Sequence, residues 1–155
     1  MMIWGSVTYN GVGPLVWVKE NIKGAVYLAI LKQHLPGILN HSGTNAENFY
    51  FQHDNARVHT AKPVKAWIAA SGIKLLDWPA NSPDMNIIEN LWAIVKRELY
   101  DIRRFPKEAG SLDDLWKRLQ EVWYSIPLDT IRRLYKSIPT RIEEVIRSHG
   151  KTTGF

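Results

Sequence analysis

The chain has 155 residues, 45% of them hydrophobic, no cysteine and a formal net charge of +5. That length supports one domain with a core. It leaves no disulfide framework or thiolate metal site, and no apolar run approaches the length of a membrane span. The positive excess is mild, so a polyanion such as DNA is a permitted partner and nothing more. The start, MMIWGSVTYNG, lacks the basic region and cleavage pattern of a signal peptide, and an intracellular protein is expected.

MIWGSVTY reads as a strand. Asn10–Gly13 is a hairpin signal, because Asn-Gly takes the positive φ angles of a tight turn, and Pro14–Val18 is the return strand. Residues 24–35 place Val26, Ile30, Leu31 and Leu35 at helical spacing, and PGILNHSGTNAEN reads as a loop. FYFQHD is a short buried strand. Residues 60–71 read as a helix capped by Thr60, with Pro63 in its first turn and Val64, Trp67 and Ile68 inward. IKLLDWP is a further strand. From Asn86 to Arg103 the pattern Ile87, Leu91, Ile94, Val95, Leu99, Ile102 predicts a strong amphipathic helix. Residues 111–126 open with Ser111 and Asp114 in capping-box positions, and residues 128–150 contain Pro139, which should break or kink the helix. The seven tryptophans sit in apolar patterns and read as core. Strands alternating with helices predict an α/β chain with a mixed sheet. A single domain is expected over residues 1–155, with a core over 1–104 and a helical extension over 105–155.

Two acids stand out. Asp54 closes the strand in QHDNARVH, and Glu89 lies in the first turn of the strongest helix, in SPDMNIIENLW. Strand ends in α/β sheets collect ligands and catalytic groups. Plain structural readings exist beside this one. Asp54 and Asn55 serve equally well as a turn. Glu89 fits as the N3 partner of an Asn86 cap. His53 and His59 read as a satisfied polar pair, and the spacing is not a standard zinc pattern.

QHDNARVHTA together with LLDWPANSPDMNIIENLWAIVKREL resembles the catalytic core of mariner-type cut-and-paste transposases, members of the DDE superfamily with a ribonuclease H-like fold. Upstream, MIWGSVTYNGVGPLVWV resembles that family's second and third strands; downstream, SIPTRIEEVIRSHG resembles its C-terminal helix. The resemblance implies that Asp54 and Glu89 are catalytic carboxylates and metal ligands for Mg²⁺ or Mn²⁺. It implies a two-metal site, with ions roughly 3.5–4 Å apart stabilising the attacking and leaving oxygens of a phosphodiester. Asn55, His59, Asn86 and Asn90 would orient the carboxylates or approach DNA. Arg57, Lys62 and Lys65 are candidate DNA contacts, and Pro83 and Asp84 would shape the loop before the Glu89 helix. Asp54 and Glu89 are expected to face each other across a few ångströms.

The family's third carboxylate lies on a strand ahead of the WG strand. Before Asp54 the only acids are Glu20 and Glu47, neither in a matching context. The expectation is therefore a core truncated at its N-terminus, inactive alone. The family's first strand lies between the second and the one matching FYFQHD. Without it, those two strands would pair directly or be bridged by a second copy, and a homodimer is expected. DNA is the expected partner, with no membrane, and a eukaryotic source would place the protein in the nucleus. The alternative is a non-catalytic DNA-binding or self-association module. A different enzyme on the same scaffold is a third, weaker reading.

Overall fold

The computed structural model of the chain describes residues 1–79, 82 and 85–149. Pro83 and Asp84, read from sequence as loop-shaping residues, lie outside the described residues. The elements are β1 (Met2–Thr8), β2 (Gly11–Val18), α1 (Gly24–Ser42), a 3-10 turn (Ala46–Asn48), β3 (Tyr50–Phe51), α2 (Lys62–Ala70), β4 (Lys74–Leu75), α3 (Ile87–Leu99), α4 (Leu112–Tyr124) and α5 (Leu128–Arg147). β1 pairs with β2 in one sheet, and β3 with β4 in another. The second sheet is parallel, with Tyr50 opposite Lys74 and Phe51 opposite Leu75. The chain divides into two compact units, residues 3–17 with 83–155, and residues 18–82.

In the first unit the hairpin turns at Tyr9 and Asn10 rather than at Asn10–Gly13. Gly11 takes φ 141°, while Asn10 keeps a negative φ. Thr8 closes the turn: its hydroxyl accepts from Asn10 N–H at 3.2 Å and donates to Gly11 O at 3.4 Å. The return strand therefore begins at Gly11 and runs through Pro14. Leu15, Leu91, Val95, Leu119, Val122, Trp123, Ile126 and Ile131 form the core. The indole of Trp123 stacks on Trp92 at 4.8 Å and donates from Nε1 to Gly13 O at 2.9 Å. Gly5 permits this, because a Cβ there would stand 2.7 Å from the Trp92 ring.

α3 stops at Leu99, short of the expected Arg103. Asp101 Oδ1 accepts from Arg103 N–H at 2.9 Å and Nε at 3.0 Å, local bonds that compete with the helix. Ile102, read as inward, is consequently exposed. α4 is capped as expected, Ser111 Oγ accepting from Asp114 N–H at 3.1 Å. α5 runs through Pro139 without breaking. A helix proline costs about 3 kcal/mol, and two features offset it. Ile131 is buried in the core. The buried Arg141 donates from Nε to Ser137 Oγ at 2.8 Å, bridging across the proline.

In the second unit α1 continues well past Leu35, through Pro36 to Ser42, where Gly43 ends it in the left-handed region at φ 69°. The loop expected from Pro36 onward is thus helical in its first half. Ile38 and Leu35 are both buried, and burying each contributes about 1.5–3 kcal/mol against the proline's cost. Tyr27, not Val26, is the fully buried residue of the first turns. The strand expected over FYFQHD keeps only two paired residues. α2 begins at Lys62, capped by Ala61 without a side-chain bond. Thr60, expected as its cap, instead donates from its hydroxyl to Ala56 O at 3.2 Å. Val64 and Ile68 face inward as expected.

Candidate functional site

Beyond β3 the chain makes a tight excursion before α2. Asp54 Oδ1 accepts from Ala56 N–H at 2.9 Å, so the turn reading is correct. The same oxygen stands 2.6 Å from His59 Nδ1, which is also 3.3 Å from the Asp54 backbone carbonyl. Neither acceptor has a proton to give, so Nδ1 carries the hydrogen. Among the described residues Oδ2 accepts no hydrogen bond, and the side chain is 54% exposed. One oxygen is fixed by two donors and the other makes no hydrogen bond within the described residues.

His59 is held where it is by the local backbone, its N–H donating to Ala56 O at 2.9 Å. His53 meets the hydroxyl of Tyr27 through Nδ1 at 2.9 Å. The two imidazoles stack at 5.0 Å and 8°. They form the satisfied polar pair that one sequence reading gave. Burial strips water from His53 and pushes its pKa down to about 4; the nearby His59 adds to this, and Asp54 opposes it. Asn55 turns away from Asp54 and donates from Nδ2 to Trp78 O at 2.7 Å, tying this loop to the segment after β4. Beside it a cavity of about 250 Å³ is lined by His53, Asn55, Lys65, Leu76 and Trp78, among others.

Arg57, Lys62 and Lys65 are exposed. Lys62 and Lys65 occupy the first turn of α2, which holds no acid. Cations at the positive end of a helix dipole cost a few tenths of a kcal/mol, so stability does not explain them, whereas an anion there would be drawn in.

Glu89 is exposed in the first turn of α3, where the dipole favours a carboxylate. The Asn86 side-chain half of the capping box read from the sequence does not form. Asn86 caps α3 without a side-chain bond, and Glu89 N–H donates to the Asn86 backbone carbonyl at 3.1 Å. Asn90 Oδ1 is buried and finds no hydrogen-bond partner among the described residues. Asp54, Asn55, His59, Arg57, Lys62 and Lys65 belong to the 18–82 unit, and Asn86, Glu89 and Asn90 to the other. Among the described residues no three of His, Asp and Glu gather as a cation cage, so the zinc reading finds no cluster. The donor type available, exposed carboxylate oxygen, suits Mg²⁺ or Mn²⁺ rather than zinc. Sequence reasoning missed Tyr27 and Trp78. Tyr27 was passed over in favour of Val26 in that helix; the signal was its hydroxyl, which needs a partner when buried.

The fold is ribonuclease H-like. The chain matches the structure of the Mos1 transposase catalytic domain with raltegravir and Mg at a TM-score of 0.82 and 23% identity, over 97% of this chain and 75% of that one. It matches the Mos1 mariner paired end complex with Mn at a TM-score of 0.77 and 25% identity, over 94% of this chain and 42% of that one. In sequence it is 34% identical to the transposable element Tc1 transposase of Caenorhabditis elegans over 156 aligned residues, covering 100% of this chain and 54% of that protein. The chain thus spans about half the length of the curated relatives it matches. The family model for the DDE superfamily endonuclease matches residues 1–113, and the chain belongs to that family, alongside Tc1/mariner transposases.

Proposed function

We propose that these 155 residues are the larger part of a DDE catalytic module for cut-and-paste DNA transposition, with Asp54 and Glu89 as two of its carboxylates. The observation that carries this is Asp54 itself. Its Oδ1 is fixed by two donors, and its exposed Oδ2 is left without a hydrogen bond among the described residues, at the family's motif position.

Asp54 and Glu89 would hold Mg²⁺ or Mn²⁺, which when bound polarises the phosphodiester and the attacking oxygen. The chain's own residues do the rest. His59 and Ala56 N–H orient the Asp54 carboxylate. Asn86 and Asn90 flank Glu89 at the start of α3 and support it. Asn55 fixes the loop through Trp78. Arg57, Lys62 and Lys65 contact the phosphates of DNA, holding the scissile strand without reading its sequence. Within these residues the motif supplies two carboxylates, so the 155-residue polypeptide binds metal weakly and does not cleave DNA alone.

The reading extends to a homodimer, the bridging alternative that the resemblance raises. A transposase of a eukaryote, such as the one named for the Tc1 element of Caenorhabditis elegans, would work in the nucleus.

Calorimetric titration of Mn²⁺ against the parent chain, Asp54→Ala and Glu89→Ala tests the assignment. Both variants should lose most of the heat. Equal heats in all three would remove the carboxylate pair. Metal-dependent nicking by the parent, lost in Glu89→Ala, would overturn the inactivity.

A further inference from the structure

Within residues 18–82, three rings lie behind the Asp54 carboxylate. Tyr27, in the first turns of α1, is 1% exposed. Its ring centroid is 4.1 Å from that of His59 at a tilt of 34°. Its hydroxyl is 2.9 Å from His53 Nδ1. His53 and His59 stack on each other at 5.0 Å, and the edge of Phe51 meets His53 at 5.2 Å. Filling this core position would not require a hydroxyl; leucine or phenylalanine would bury as much apolar surface. Tyrosine instead touches both histidines flanking Asp54, the one before it in sequence and the one that grips it. The start of α1 is also seated closely on this loop, since a Cβ at Gly24 would stand 2.6 Å from Ala61 Cβ.

The carboxylate of an exposed aspartate turns freely about its last bond, so its two oxygens exchange. Donors on Oδ1 break that equivalence. The Ala56 N–H is supplied by the turn itself. The His59 backbone is fixed by Ala56, whereas its ring packs on Tyr27 and His53.

We propose that Tyr27 is a positioning residue for Asp54. It holds the His53–His59 pair so that His59 Nδ1 stays on Oδ1, and Oδ2 is the oxygen offered to a divalent cation. This rests on the reading of Asp54 as a metal ligand given above.

The test uses the 155-residue chain with ¹⁵N-labelled histidine, reading the ring nitrogens by long-range ¹H–¹⁵N spectra and Mn²⁺ affinity by calorimetry. Tyr27→Phe should move the His53 nitrogen signals and leave those of His59 in place. Tyr27→Leu should move the His59 Nδ1 signal away from its hydrogen-bonded position and weaken Mn²⁺ binding about tenfold, the low end for outer-shell substitutions. In a His59→Ala background, Tyr27→Leu should weaken Mn²⁺ binding no further. Tyr27→Leu with unmoved His59 signals, or with an equal loss of affinity in the His59→Ala background, would overturn the proposal. If Tyr27→Leu does not fold, the Tyr27→Phe spectrum decides, and unmoved His53 signals overturn it. If Asp54→Ala binds Mn²⁺ as the parent does, the metal reading falls, while the His59 signals still report whether Tyr27 holds the ring.

Discussion

His59 Nδ1 stands 2.6 Å from Asp54 Oδ1, so the aspartate of the DNARVH segment is gripped by the histidine of the same segment. A charge-assisted bond this short is among the stronger side-chain contacts in proteins. It does not consume the carboxylate, because it shares one oxygen with the Ala56 N–H.

Removing the grip should cost metal before it costs fold. His59→Ala is expected to weaken Mn²⁺ binding about tenfold, as outer-shell substitutions do. The unfolding midpoint should fall by only a few degrees, since one hydrogen bond to a half-exposed carboxylate contributes about 1 kcal/mol. Calorimetry and thermal melts measure the two separately. Unchanged Mn²⁺ affinity would show that His59 serves only the turn.

DNA binding should be tolerant of sequence and strongly salt-dependent. Replacing Arg57, Lys62 and Lys65 together by alanine should flatten the plot of log affinity against log salt by about 2–3, close to one unit per lost phosphate contact. Fluorescence anisotropy with two unrelated duplexes measures this. A slope that survives the triple variant would move the contact surface elsewhere.

Tyr135 should make stability depend on alkaline pH. Its hydroxyl donates to Val7 O at 3.3 Å, and burial pushes its pKa up to about 12. The unfolded chain ionises near pH 10 and the folded chain near 12, so the stabilisation is complete below pH 10 and lost as pH rises toward 12. The full effect is on the order of 2–3 kcal/mol. Denaturant midpoints between pH 9 and 11.5 should fall in the parent and fall less in Tyr135→Phe. Parallel curves would refute the linkage.

Trp123→Phe tests the support of the hairpin. It keeps an aromatic ring in the core but leaves Gly13 O without its indole donor, at a cost of about 1–3 kcal/mol. Gly5→Ala should destabilise by a similar amount, by overpacking against Trp92. Midpoints from urea unfolding measure both, and a Trp123→Phe variant as stable as the parent would mean that another donor satisfies that carbonyl.

The order of strands and helices, the amphipathic faces of α3 and α4, the Ser111 cap and the place of Glu89 in the first turn of α3 were legible in the sequence. Each is written locally, in residue period, in capping chemistry or in a contiguous motif, so a linear reading recovers it. The helix through Pro36, the uninterrupted α5, the early end of α3 and the two-residue extent of β3 were not. In the helices, burial of Ile38 and the Ser137–Arg141 bridge outweighed a local breaker, and Asp101 used its own side chain to end a favourable pattern. The candidate site divides the same way. Sequence alone named Asp54 and His59, five positions apart. Only the tertiary structure decided that Tyr27, from a helix that begins thirty residues earlier, stands behind them. A buried hydroxyl must find a partner, and packing in three dimensions chooses which one.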